Sequence, residues 1–383
     1  MPVTGAPIPV TGAWTPGDPV GARRFVTVFE SRPHVLETGG RLAEVTVAYE
    51  AWGELNREHT NAVLVLHALT GDSHAAGPTG PGHPSPGWWD EIIGPGRALD
   101  TDRFFVVCPN VLGSCRGTTG PASAADDGRP YGSRFPAVTI RDQVVAEAAL
   151  AEKLGISRWA AVVGGSMGGM RVLEWCVGFP ERVGAAVVIA CGAKATAEEI
   201  ALCSLQIRSI RADPGFRGGD YYDAAPGEGP HAGLSLARGI GTLSYRSEWE
   251  FEQRFGRGHQ GDEDPLTGGR YAIESYLEYH GDKLTRRFDA NSYITLSNAM
   301  NFHDVGRGRG GVAAALARVR SPVALAGISS DHLYPLRLQH ELAALLPTSG
   351  EVTVIQSVSG HDGFLTETDA VAKVIGGALT DVG

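Results

Sequence analysis

Three residues of the types that carry out acyl transfer, Ser166, Asp331 and His361, follow one another along the chain, each just beyond an apolar segment. A serine hydroxyl becomes a nucleophile when a base takes its proton and an acid orients that base. The serine lies in Gly164-Gly165-Ser166-Met167-Gly168-Gly169-Met170, a G-x-S-x-G pattern. In a chain with 52 glycines among 383 residues that pattern is weak by itself, and its setting gives it weight. The apolar run 159–163 before it reads as a buried strand, and 171–177 after it opens a helical pattern. A strand-turn-helix elbow strains the serine backbone and lifts its hydroxyl clear of the sheet, while Gly164 and Gly168 let strand and helix approach closely.

The base and acid of such an elbow follow in the order Ser, Asp, His. Strand 323–326 leads to Asp331, and strand 352–355 leads to His361. Taken singly, Asp331 reads as a turn or helix cap before Leu333-Tyr334-Pro335, and His361 as a loop histidine. Asp289 and Asp304 also lie between serine and histidine, but in a helical region, so they are poorer candidates. The oxyanion of acyl transfer needs two backbone donors. Met167, next after the serine, supplies one, and the segment 66–74 after the third strand is placed to supply the other.

The elements that must hold these residues form an α/β pattern. Strands are expected over 25–29, 45–49, 62–66, 104–107, 160–163, 185–190, 323–326 and 352–355, giving a mostly parallel eight-stranded sheet. A helix from Thr139 leads into the elbow strand. From 193 to 317 strands vanish and helices are expected over 199–210, 233–245 and 270–279. This predicts a core over 25–192 and 318–383 with a helical lid inserted at 193–317. Residues 1–24, rich in proline, glycine and threonine, read as a flexible arm and not as a signal peptide.

Composition narrows the function classes. A net charge of −10 with no dense basic run opposes nucleic-acid binding, and no apolar run is long enough to cross a membrane. Five cysteines without a C-x-x-C pair argue against a disulfide framework or zinc ribbon and fit the reducing cytoplasm.

With the elbow, Asp331, His361 and 66–74 in place, the chain resembles the homoserine O-acetyltransferases of the α/β-hydrolase superfamily. Further stretches carry the resemblance: 77–84 followed by Gly87-Trp88-Trp89-Asp90, Asn110-Val111-Leu112-Gly113, 288–293 and 303–308. The resemblance implies an α/β-hydrolase fold and ping-pong acetyl transfer from acetyl-CoA to L-homoserine, a step towards methionine. Ser166, His361 and Asp331 would form the triad, and Leu69 and Met167 the oxyanion hole. Arg238, with Tyr245 two turns along, would receive the substrate carboxylate, and Asp362 its ammonium. Without the family, Arg238 reads as a solvated helix residue. No metal or bound cofactor is implied, acetyl-CoA being a co-substrate, and the lid would form a homodimer. The same motifs leave open succinyl-CoA as donor, serine as acceptor, or hydrolysis by water as in a serine esterase.

Overall fold

The computed structural model describes residues 7–380. Its main sheet has eight strands, β1 Arg24–Val28, β2 Val45–Trp52, β3 Ala62–Leu66, β4 Phe105–Pro109, β5 Trp159–Gly165, β6 Val183–Ile189, β7 Val323–Ile328 and β8 Thr353–Ile355. They lie in the order β1-β2-β4-β3-β5-β6-β7-β8. Only β2 runs against its neighbours, β1 and β4; every other pairing is parallel. All eight expected strands are present, with ends shifted by at most three residues. The central ones were legible because β3 and β5 are buried on both faces and therefore read as continuous apolar runs.

Helix α1, Ile140–Lys153, begins at a capping box in which Thr139 and Asp142 satisfy each other's backbone donors. Helix α2, Met167–Gly178, follows the elbow and packs on α1 and β5. Between β6 and β7 the chain forms α3 Ala197–Ala212, α4 His231–Tyr245, α5 Glu248–Arg254, α6 Ala272–Thr285, α7 Ala290–Asn301 and α8 Val312–Leu316. The expected helices correspond to α3, α4 and α6, each longer than read. Helix α7 gave no periodic signal because it is buried on most of its surface, including polar Asn291, Ser292 and Ser297.

The arm expected over 1–24 is, along its described part, laid across the joint between sheet and helical insertion. Gly12 N–H donates to the Phe288 carbonyl (3.2 Å) and Trp14 N–H to that of Cys115 (2.9 Å). The Trp14 ring stacks on Phe25 at 5.1 Å. A side chain at Gly12 would meet the Phe288 nitrogen at 2.3 Å, so the glycine allows close packing there as well as flexibility.

The joint between β3 and α2 is the tightest near the site. A Cβ on Gly168 would fall 2.0 Å from the Leu66 carbonyl oxygen, and one on Gly164 would fall 2.7 Å from the Gly168 carbonyl carbon. Backbone meets backbone here, so no side-chain movement can relieve the clash. Gly168→Ala is expected to lower folding stability by about 3 kcal/mol, the range of severe overpacking. Denaturant unfolding of the variant against the parent measures this.

Candidate active site

Ser166 stands between β5 and α2 with φ 57° and ψ −127°, a conformation that costs energy for any residue with a side chain. Its N–H donates to the Ile189 carbonyl (3.0 Å) at the end of β6, so the strained turn is held by its neighbouring strand. The residue is 6% exposed and opens into a cavity of about 630 Å³ between the sheet and the helical insertion.

His361 lines the same cavity from the loop after β8. Its Nδ1 contacts Asp331 Oδ2 at 2.7 Å. The other carboxylate oxygen, Oδ1, accepts the N–H groups of Leu333 (2.9 Å) and Tyr334 (2.8 Å). Asp331 is therefore fixed through both oxygens, and the cap role weighed for it coexists with the ion pair. The imidazole is stacked on Tyr334 at 4.9 Å and faces Phe364 edge-on at 5.4 Å. With Nδ1 committed to the carboxylate, Nε2 is buried, without a hydrogen-bond partner among the described residues, and available for a proton.

Burial alone would lower the His361 pKa, but the charge and hydrogen bond of Asp331, aided by Asp362 and Glu199, raise it above its ordinary value. Sequence reasoning missed Glu199, which caps α3 through Thr196 and whose carboxyl is pushed up to about 7, chiefly by burial. Nothing in its capping pattern distinguished it from any helix start.

Met167 is the first residue of α2, and the leading N–H groups of a helix have no intrahelical acceptor. Leu69 lines the cavity on the opposite loop. That loop is braced from beneath. The buried Arg171 guanidinium donates to the His67 carbonyl and pairs with Glu147 (2.7 Å), which also accepts the Trp175 indole N–H (2.8 Å). His67 Nε2 accepts Val111 N–H (3.1 Å), while its Nδ1 reaches the Ala68 carbonyl (2.8 Å). Burial first, then Arg171, drops the His67 pKa to about 3, so it stays neutral and keeps this donor-acceptor pattern. In the sequence Arg171 only opens the helical pattern 171–177; the fold shows that it is buried.

Arg238 and Tyr245 come from α4 and line the cavity, the guanidinium lying 5.0 Å from the tyrosine ring centre. Among the described residues Arg238 makes no ion pair. Asp362 also lines the cavity, but its Oδ2 is 3.1 Å from Arg246, a partner the sequence did not reveal. Burial nevertheless raises its pKa. All eight candidate residues are thus brought to one cavity or its edge. Asp289 and Asp304 are elsewhere: Asp289 caps α7 and accepts the Tyr221 and Tyr222 hydroxyls, and Asp304 caps a turn at Gly306.

Among the described residues one group of metal-ligand type adjoins the cavity, Glu50, His74 and His83. One nitrogen of each ring is engaged, while His74 Nε2 and His83 Nδ1 are buried without a hydrogen-bond partner among the described residues. His74 Nδ1 contacts Glu50 (2.9 Å), His83 Nε2 accepts Ala22 N–H (3.0 Å), and the two rings stack at 3.7 Å. The group serves to pin the residues before β1 to the loop after β3.

Chemically, the cavity joins a serine hydroxyl, a histidine with a free nitrogen, a carboxylate holding that histidine and N–H groups suited to an oxyanion. Such a set supports acyl transfer through a serine ester. The raised His361 pKa fixes the sign of a pH profile: the base works when neutral, so kcat/KM on an activated ester should rise with pH through a midpoint above 6.5, the ordinary histidine value. Asp331→Asn should shift that acidic limb to lower pH and cut kcat by about 10³–10⁴. Stopped-flow or plate-reader pH profiles of both forms check the pair of effects.

The chain matches the family model of the alpha/beta hydrolase fold over residues 61–368. It is 60% identical over 372 residues to a homoserine O-acetyltransferase of Thermobifida fusca, covering 97% of each chain. A homoserine O-acetyltransferase of Clavibacter michiganensis is 57% identical, over 96% of this chain and 95% of that one. Among solved structures, homoserine O-acetyltransferase from Bacillus anthracis superposes with a TM-score of 0.85 at 27% identity, covering 94% of this chain and 98% of the other. Esterase E22 superposes equally well, at 30% identity over 93% and 99%. The elbow, the eight-stranded sheet and these matches along nearly the whole chain together make it a member of the homoserine O-acetyltransferase family, on the α/β-hydrolase fold.

Proposed function

We propose that the chain transfers the acetyl group of acetyl-CoA to the side-chain hydroxyl of L-homoserine, the activating step towards methionine, with Ser166 as the covalent carrier. Beyond family membership, one observation carries the reading: a guanidinium without an ionic partner, Arg238, shares a cavity with a serine and a histidine whose Nε2 is free. Arg238 is partly buried, and an amino-acid carboxylate is the bidentate partner that a guanidinium fork fits.

In the first half-reaction His361 Nε2 takes the Ser166 proton and Oγ attacks the thioester carbon. Charge on the carbonyl oxygen is met by the N–H groups of Leu69 and Met167. The C–S bond breaks, and the sulfur leaves as CoA with the proton returned from His361. In the second, homoserine's hydroxyl gives its proton to His361 while its oxygen attacks the acetyl carbon. The ester bond to Ser166 breaks, and the serine recovers the proton. Asp331 holds the imidazole in the tautomer that leaves Nε2 free and stabilises the imidazolium. Arg238 fixes the substrate carboxylate, Tyr245 packs beside it, and Asp362 offers its unpaired oxygen to the ammonium. The cycle is complete with these side chains and two substrates.

The division of the chain follows from this chemistry: 25–192 and 318–383 supply the triad, and 193–317 supplies the substrate groups as a lid. The same lid supports a homodimer. Ile200 and Leu205 on α3, Leu236 and Leu243 on α4 and Trp249 on α5 are all more than 40% exposed, an apolar cluster that a second copy would cover. The cysteines are buried thiols, which supports a cytoplasmic setting.

Three measurements test the reading. Wild type should release about one equivalent of CoA per site from acetyl-CoA alone, with an acetyl adduct on Ser166, and should turn over continuously only when homoserine is present, whereas Ser166→Ala should do neither; rapid release of acetate instead would indicate an esterase. Arg238→Ala should raise KM for homoserine about 30- to 100-fold, the loss of a charge-assisted pair, with a much smaller change in KM for acetyl-CoA. Light scattering should give a dimer mass for wild type and a monomer for Leu243→Asp.

A further inference from the structure

The loop that carries Leu69 is firmly held at its ends and sparingly in between. At one end Arg171 donates to the His67 carbonyl, and at the other the Trp88 indole N–H donates to that of Asp72 (3.0 Å). Residues 68–71 line the active-site cavity, and within the loop their bonds are few: Gly71 N–H donates to the Ala68 carbonyl (3.0 Å), which His67 Nδ1 also reaches (2.8 Å). The Leu69 N–H has no acceptor among the described residues. From outside the loop, and among the described residues, a single side chain bonds to this stretch. Arg287 donates to the Thr70 carbonyl at 2.9 Å, across 217 positions of sequence.

Arg287 stands on a rigid support. It lies in the short link between α6 and α7, where its own N–H and that of Phe288 both donate to the Leu284 carbonyl (3.0 and 2.9 Å) and close the end of α6. Two residues on, the buried Asp289 accepts Ser292 N–H (2.8 Å) at the start of α7, together with the hydroxyls of Tyr221 (2.6 Å) and Thr11 (2.8 Å). The backbone is therefore fixed on both sides of Arg287, and only its side-chain torsions are free. Its guanidinium makes no ion pair among the described residues, so no carboxylate draws it away from Thr70.

We propose that Arg287 is a positioning residue of the oxyanion hole: from the helical insertion it holds the Thr70 carbonyl and so aims the Leu69 N–H at the oxygen of the reacting carbonyl. The inference rests on acyl transfer through Ser166 with Leu69 as an oxyanion donor. A carbonyl tethered one residue away restricts rotation of the Leu69 peptide, and misplacement by about 1 Å costs a catalytic group much of its effect. The insertion thus supplies more than substrate contacts. The hole is complete only while the α6–α7 link rests against the loop.

An uncharged ester separates aiming from anion binding. p-Nitrophenyl acetate has no carboxylate or phosphate for a guanidinium to bind, yet it forms the same acetyl-serine: the bond from Ser166 Oγ to the acetyl carbon forms, the bond to nitrophenolate breaks, and His361 takes the serine proton. Arg287→Gln, polar but too short to reach Thr70, should slow the nitrophenolate burst about 10- to 100-fold. It should lower kcat for acetyl-CoA plus homoserine by a similar factor, with KM for homoserine and the midpoint of the acidic pH limb unchanged. Arg287→Lys, which keeps a long stem and an N–H donor, should recover most of the rate on both substrates. Arg287→Met, which keeps the apolar stem without a donor, should match the glutamine variant and replaces it if that variant does not fold. A loss confined to acetyl-CoA or to KM would make Arg287 an anion-binding residue, and no loss on either substrate would make its contact incidental. Either result overturns the assignment and leaves acyl transfer through Ser166 intact. Absence of a burst in the wild type would instead remove the acyl-serine reading and this inference together.

Discussion

The site depends on a single backbone contact, that of Gly168 in the first turn of α2 against the carbonyl of Leu66 at the end of β3. The two proposed oxyanion donors lie on opposite sides of it. Met167 is adjacent to Gly168, and Leu69 is three residues beyond Leu66, so the contact that fixes helix against strand also fixes one donor against the other. No side chain intervenes that could change rotamer. Arg171 adds a second tie, from the next turn of α2 to the His67 carbonyl, and Glu147 on α1 neutralises it out of contact with water. A buried pair of this kind adds little net stability, but losing either member would leave a charge stranded under the oxyanion loop. The elbow's strain at Ser166 is sustained by this framework, since a φ of 57° survives only where the surroundings permit no alternative.

Electrostatics divides the cavity in a way the chemistry requires. Asp331, Asp362 and Glu199 favour the protonated form of His361, which the imidazole would adopt in each half-reaction of the proposed mechanism. Arg238, Arg287 and Lys283 line the same cavity, where anionic groups of the substrates would lie. Were those cations placed around His361 instead, they would depress its pKa and weaken it as a base. Arg246 marks the boundary: its contact with Asp362 ties α4 to the base loop, and Gly360, whose Cβ would fall 2.6 Å from the Tyr245 carbonyl, lets the two approach.

How much of this was legible in the sequence follows from what each residue faces. The central strands could be read because a strand buried on both faces is apolar throughout, and the exposed edge strands β1 and β8 by their short β-branched runs. The triad candidates could be read because each follows a strand of the sheet. Helix α7 could not, since a helix packed on nearly every side has no polar stripe to set its period, and its buried serines and asparagine mimic a loop. Arg171, Arg246 and Lys283 are alike in sequence, each a basic residue in or beside a helix. In the fold one is sealed under the oxyanion loop, one pairs with Asp362 and one stands at the cavity rim. Sequence spacing gives a residue's place on its helix, but which face of that helix is covered is decided by segments a hundred or more residues away.

The likeness to both acetyltransferases and an esterase locates what would make this fold a transferase. An acyl-serine formed by a triad of this kind is open to any hydroxyl that reaches it, water included, so the triad alone does not choose the acceptor. Selection must come from an acceptor held in line with His361. Intramolecular-like reactions of well-oriented groups reach effective molarities on the order of 10⁵ M and above, enough to outrun bulk water if the acceptor is held by both its charged ends. Arg238 on α4 and Asp362 beside the base offer opposite charges across the cavity, one for each end of a zwitterion. Because Arg246 already ties the end of α4 to Asp362, an acceptor bridging Arg238 and Asp362 would sit in a preformed gap over the acyl-serine. Occupancy by the acceptor would then exclude water from the carbonyl it is about to attack, so binding and selectivity would arise from the same two charges.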